Sequence, residues 1–135
     1  MDWKDKRRLF AKNALLFAAL FLLVTFNKEF LRPAFGHTPV LGVLTGSLPN
    51  FLAALLISLS IVNGVNARKP KGGRLFAYVG SGLVFLVLTV EELRPMWGAS
   101  SQYDPYDILA NCLGSLGAIL AFELMARRDM SASEN

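Results

Sequence analysis

Residues 29–36 read Glu29-Phe-Leu-Arg-Pro-Ala-Phe-Gly36, and residues 91–98 read Glu91-Glu-Leu-Arg-Pro-Met-Trp-Gly98. Glu29 corresponds to Glu91, Arg32 to Arg94, Pro33 to Pro95 and Gly36 to Gly98. Farther along, Asn50-Phe-Leu-Ala-Ala-Leu55 mirrors Asn111-Cys-Leu-Gly-Ser-Leu116, with one residue fewer between the two blocks in the second half. Each block lies between two long apolar runs. The pattern predicts a helical hairpin written twice, residues 1–66 and 67–135, with a polar cluster at each tip.

Outward from these blocks the chain is strongly apolar. It has 135 residues, 53% of them hydrophobic, and a mean hydropathy of +0.42, beyond the range of an ordinary soluble domain. Apolar segments occupy about 13–31, 40–62, 75–93 and 106–126. Each approaches the ~20 residues that cross a hydrocarbon core of about 30 Å. Backbone polar groups in such a core must bond within their own segment, so the segments are expected to be helices. The fold class is therefore an all-α membrane protein of four transmembrane helices, two antiparallel hairpins in series. Asn27-Lys-Glu-Phe30 offers no small-residue cleavage pattern after the first run, so that run is expected to remain a helix.

Charge sets the orientation. Lys4, Lys6, Arg7, Arg8 and Lys12 precede the first span; Arg68, Lys69, Lys71 and Arg74 fill the middle loop; Arg127 and Arg128 follow the last. Eleven of the fourteen basic residues thus share one side, leaving Lys28, Arg32 and Arg94 on the other. The positive-inside rule then predicts cytoplasmic termini. This topology accounts for the net charge of +4 without a nucleic-acid partner.

The second tip is the richer in ionisable groups. Glu91, Glu92, Arg94, Asp104, Asp107 and Asn111 fall within 21 positions, echoed in the first half by Glu29, Arg32 and Asn50. These nine are the candidate binding residues. Asp104-Pro105 has the form of a helix start, with Asp104 as N-cap. Asp107 and Asn111, four apart, then share one face, and Arg94 is expected near Glu91. Polar groups facing the interior of a membrane bundle point to function. Pro49, inside the second span, should free a backbone carbonyl that the adjacent Asn50 is placed to satisfy. Gly42 and Gly46, and Asn111, Gly114, Ser115 and Ala118, form stripes that suit close helix approach.

Elsewhere the signals are structural. Cys112, the single cysteine, excludes an internal disulfide and a cysteine zinc cluster and is expected to pack as a small residue. His37 falls in a loop, with no Ser-His-Asp or HExxH context. Glu123 is expected to pair with Arg127. Gly80-Ser-Gly82 reads as packing inside an apolar span, and no cofactor or metal pattern is present.

Glu91-Glu-Leu-Arg94, followed by Tyr103-Asp-Pro-Tyr-Asp-Ile-Leu-Ala-Asn-Cys-Leu-Gly-Ser-Leu-Gly117, resembles the VanZ-like family of small bacterial multi-span proteins. Its founding member is associated with resistance to the glycopeptide teicoplanin. The family pattern has a Glu at a helix end, then Gln, then Arg, then Asp-x-x-x-Asn-x-x-Gly-x-x-x-Gly entering the last helix. Glu91, Asp107, Asn111 and Gly114 match it. Arg94 stands near the usual Gln, Ser101 or Gln102 near the usual Arg, and Gly117 comes one residue early. The resemblance implies a multi-pass protein of the bacterial inner membrane with a role in the cell envelope that bears on glycopeptide susceptibility.

Three function classes follow. The leading one is a non-enzymatic protein whose outer-face cluster binds a lipid head group or a lipid-linked envelope precursor, with Arg94 and Arg32 on phosphate or carboxylate. The second is a membrane-embedded enzyme in which Glu91, Glu92, Asp104 and Asp107 act as acid and base, or hold a divalent cation through oxygen ligands, on a lipid-linked substrate. The third is an assembly subunit, homo-oligomeric or joined to another membrane protein through its glycine stripes.

Overall fold

The computed structural model describes residues 1–94 and 104–133. Among them the chain is helical without strands. The helices are α1 (Trp3–Phe35), α2 (Pro39–Arg68), α3 (Gly73–Leu93) and α4 (Pro105–Ser133). All four are long and apolar enough to cross a membrane. Pro95, Trp97, Gly98, Ser101, Gln102 and Tyr103, which carry part of the repeated block and of the family resemblance, lie outside the described residues.

The helices run past the apolar windows that announce them. α1 begins at Trp3, capped by the Asp2 carboxylate, and α2 continues to Arg68. At 1.5 Å per residue the 30 residues of α2 span about 45 Å, so its last turns project beyond a hydrocarbon core of about 30 Å. Lys69 (φ 44°) and Gly72 (φ 76°), both left-handed, then turn the chain back into α3. The left-handed position suits a glycine, and Lys69 closes α2 there by donating its backbone N–H to Val65 O.

α2 is the hub. It packs against α1, α3 and, most extensively, α4; α3 also packs on α4, whereas among the described residues α1 packs on no other span. Asn63 Nδ2 donates to Asn13 Oδ1 (3.3 Å), Asn66 Nδ2 approaches Met125 Sδ (3.5 Å), and Arg74 bridges to Glu123. These contacts gather both helical termini and the α2–α3 turn at one end, which also carries the eleven basic residues. The hairpin tips share the other end.

Small residues set the helix spacing. A Cβ on Gly114 would lie 2.5 Å from Phe51 O and 2.8 Å from Ala54 Cβ, so α2 and α4 meet almost backbone to backbone. Ala54, Ser58, Ala118 and Ser115 are buried along the same seam. Val62, Ala77 and Phe122 form the apolar core nearer the basic end. The Gly42–Gly46 stripe faces the first hairpin's own tip instead: Gly42 sits against Gly36 and Gly46 beneath Arg32. Gly80 packs on Ile61, as expected of a packing glycine. Phe17, Phe21, Leu83, Leu86 and Leu120 project outward, the arrangement lipid tails accept and water does not.

Candidate functional site

At the first tip, α1 winds through a π turn at Asn27–Leu31 before its last α turn. The wider turn carries Asn27 into full burial, where its Nδ2 donates to Thr45 O at 2.8 Å. Thr45 lies four residues before Pro49, and a proline has no N–H to give that carbonyl. The partner of the orphaned group is therefore Asn27, from the neighbouring helix, rather than the adjacent Asn50. Thr45 Oγ1 turns back to Leu41 O (2.8 Å) and Gly42 O (3.2 Å). Asn50 instead lines an open groove between α1 and α2 with Pro49, Lys28 and Glu29. Glu29 and Arg32 are exposed.

At the second tip, Asp104 caps α4: its Oδ1 accepts from Tyr106 N (2.9 Å) and its carbonyl from Asp107 N (3.1 Å). Starting the helix there fixes Asp107 one turn above Asn111. The Asp107 carboxylate comes within hydrogen-bonding reach of Glu92 on α3, with Glu91 and Asp104 adding further negative charge. Asn111 is 1% exposed. Its Oδ1 is buried without a partner, as are Asp107 Oδ1, Ser115 Oγ, Ser47 Oγ on α2 and Thr89 Oγ1 on α3. Buried side-chain oxygens are normally bonded, and an orphan costs about 1–3 kcal/mol. Among these orphans Asp107 and Asn111 share one face of α4, one turn apart.

Arg94 ends α3 exposed. It forms no ion pair with Glu91 or with any other described residue, contrary to the expected i,i+3 contact. Its helix stops at Leu93, and Arg94 leaves it with φ −137° and ψ 80°, so helical spacing no longer applies. The structure thus brings Glu92, Asp107 and Asn111 together and leaves Glu29, Arg32 and Asn50 on the far side of α2. The residues missed from sequence are hydroxyls, Ser47 and Thr89. Thr89 carries a usable signal, lying three residues before Glu92 on one helix face.

Two other expectations need correction or bear out. Glu123 pairs with Arg74 (Nε–Oε1 2.9 Å, Nη2–Oε2 3.1 Å) and accepts from Tyr78 Oη (2.8 Å), not with Arg127. A partner across the interface locks two helices, which a neighbour on the same helix does not. Cys112 is half-buried and His37 exposed, as expected. Among the described residues no group of three or more His, Cys, Asp or Glu is placed to hold a metal ion. In comparisons with family models, curated proteins and solved structures, none matches this chain.

Proposed function

We propose that this is a VanZ-like, multi-pass protein of the bacterial inner membrane, built from a duplicated hairpin with both termini cytoplasmic. Its outer-face polar cluster binds a lipid head group or a lipid-linked cell-envelope precursor. The observation that carries the reading is the set of buried, partnerless oxygens on Asp107 and Asn111 beside Glu92. Polar groups in a membrane interior are expensive, and leaving them unbonded makes sense where a ligand completes them. Exposed Arg94 at the rim supplies a contact for phosphate or carboxylate. The gathering of basic residues at the opposite end supports the cytoplasmic assignment of the termini.

The test is native mass spectrometry of protein released gently from bacterial membrane. A discrete lipid or precursor adduct is expected on the wild type, reduced by Asn111→Leu and by Arg94→Ala. A bare polypeptide mass for the wild type under conditions that preserve lipids on a control membrane protein would sink the reading. The envelope role has its own check: expression should shift the teicoplanin susceptibility of a sensitive host, and Asn111→Leu should abolish the shift.

A further inference from the structure

The basic end of the bundle holds an open groove, far from the polar clusters at the tips. Among the described residues α1 and α3 both lie against α2 but do not pack on each other. The space between them is a groove of about 580 Å³. Leu9 of α1, Ile61 and Val65 of α2, and Phe76, Val79 and Leu83 of α3 line it. Its floor is clear at Gly64, where an added Cβ would meet nothing within 4 Å. Along that floor eight positions separate Ser60 from Arg68, about 12 Å of helix. That depth nearly equals the ~15 Å that one leaflet contributes to a hydrocarbon core of about 30 Å.

The lining decides what the groove can hold. Its neutral polar side chains are already engaged by the fold: Ser60 Oγ donates to Ile57 O (2.7 Å), and Asn13 Oδ1 accepts from Asn63 Nδ2 (3.3 Å). The walls are otherwise apolar, so a hydrocarbon chain suits them better than water does. Arg68, the last residue of α2, is the single charged residue in the lining. It is exposed, and neither ion pair among the described residues involves it, since Lys69 pairs with Asp129 and Arg74 with Glu123. A guanidinium at the mouth of an apolar groove suits a phosphate joined to an acyl chain. No carboxylate lines the groove to receive the ammonium of a zwitterionic head group.

We propose that this groove binds an anionic phospholipid from the leaflet that meets the basic end, with one acyl chain between α1 and α3 and the phosphate on Arg68. The groove opens sideways, so the lipid enters laterally from the bilayer. Its chain bridges α1 to α3, two helices that share no packing of their own. The neighbouring cations of the basic end favour a head group with net negative charge over a zwitterionic one.

The experiment titrates the full-length protein in detergent with phosphatidylglycerol, phosphatidylethanolamine and phosphatidylcholine of matched acyl chains, reading adducts by native mass spectrometry. Wild type should retain phosphatidylglycerol over each of the others by about tenfold, the effect of one charge-assisted bond. Arg68→Gln should bring phosphatidylglycerol down to the phosphatidylcholine level, whereas Arg128→Gln, at the same end but outside the groove, should keep the preference. Gly64→Leu fills the groove and should lower phosphatidylglycerol retention about tenfold. Gly82→Leu also projects into open space, but outside the groove, and should not. Soluble glycerophosphoglycerol, a head group without chains, should fail to displace the lipid. Equal retention of phosphatidylglycerol and phosphatidylcholine by the wild type would overturn the proposal. Equal losses from Arg68→Gln and Arg128→Gln would also overturn it, making the preference a property of the whole basic surface. Unchanged retention in Gly64→Leu, or displacement by the soluble head group, would rule the groove out. Adducts lost on Arg94→Ala but kept on Arg68→Gln would belong to the second tip and overturn this site alone. Arg68 is exposed, so its variant disturbs no packed residue.

Discussion

α2 meets its two flanking helices by different means, and the difference decides which polar groups are free. Against α4 it relies on shape: Gly114 lets the two backbones approach until a Cβ would collide with Phe51 O and Ala54. Against α1 it relies on amides: Asn63 to Asn13 near the basic end and, at the tip, Asn27 to Thr45 O, a carbonyl that Pro49 leaves unbonded. Asn27 and Asn111 are both buried to within 1% and both leave Oδ1 without a partner, yet only Asn27 bonds across a helix pair, through Nδ2. Where close packing holds a helix pair, the polar side chains beside it are released from structural duty. At the first tip one buried amide hydrogen bond is taken up by the fold; at the second, Asn111 makes none.

The largest effect should come from removing the close approach. Gly114→Leu should separate α2 from α4 and cost about 3 kcal/mol or more, the upper range for overpacking a tight site, read from the unfolding midpoint in detergent. Gly82→Ala, where a Cβ meets nothing within 4 Å, is the control and should leave the midpoint near wild type. Equal losses at the two glycines would erase the distinction between the interfaces.

Next comes the amide. Asn27→Ala should cost about 1–3 kcal/mol by orphaning Thr45 O. Pro49→Ala restores an N–H four residues on, so in that background the same change should cost less than half as much. A double-mutant cycle with no coupling would show that the bond does not serve the proline. Asn111→Leu should behave in the opposite sense. Without ligand it removes an unpaired amide and should raise apo stability by about 1 kcal/mol while abolishing the lipid adduct; a destabilised apo protein would mean that Asn111 is structural like Asn27. The smallest effect belongs to the basic end. Glu123→Gln weakens a partly exposed pair, and since the Arg74 side chain is 62% exposed the loss should stay below about 1 kcal/mol and shrink further in high salt.

What sequence reveals here follows from the range of each interaction. The spans are legible because twenty apolar residues form a local signal. The extra turns, Trp3 to Lys12 and Asn63 to Arg68, are not, since hydropathy stops at the first charges whereas hydrogen bonding continues through them. The Asp104 cap and the shared face of Asp107 and Asn111 are legible because both depend on fixed helical spacings. The approach of Glu92 to Asp107 depends on how α3 settles against α4, and Asn27 finding Thr45 depends on a π turn that no residue pattern announces. Arg74 and Glu123 stand 49 positions apart, so helical spacing points to the nearer Arg127 and cannot reveal the partner on another helix.

That π turn has one more consequence. Glu29 and Asn50 are 21 positions apart, Glu91 and Asn111 only 20. A π turn is the form a helix takes when it holds one residue more than its α path needs, without breaking. The third helix shows no such widening through Leu93, and the residue by which the halves differ falls between Gly36 and Asn50, so the widened turn is a separate feature of the first tip. Shortening that turn by one residue should return α1 to a plain α path. Asn27, the first residue of the widened turn, would then lose the burial from which it helps Asn13 hold α1 to α2.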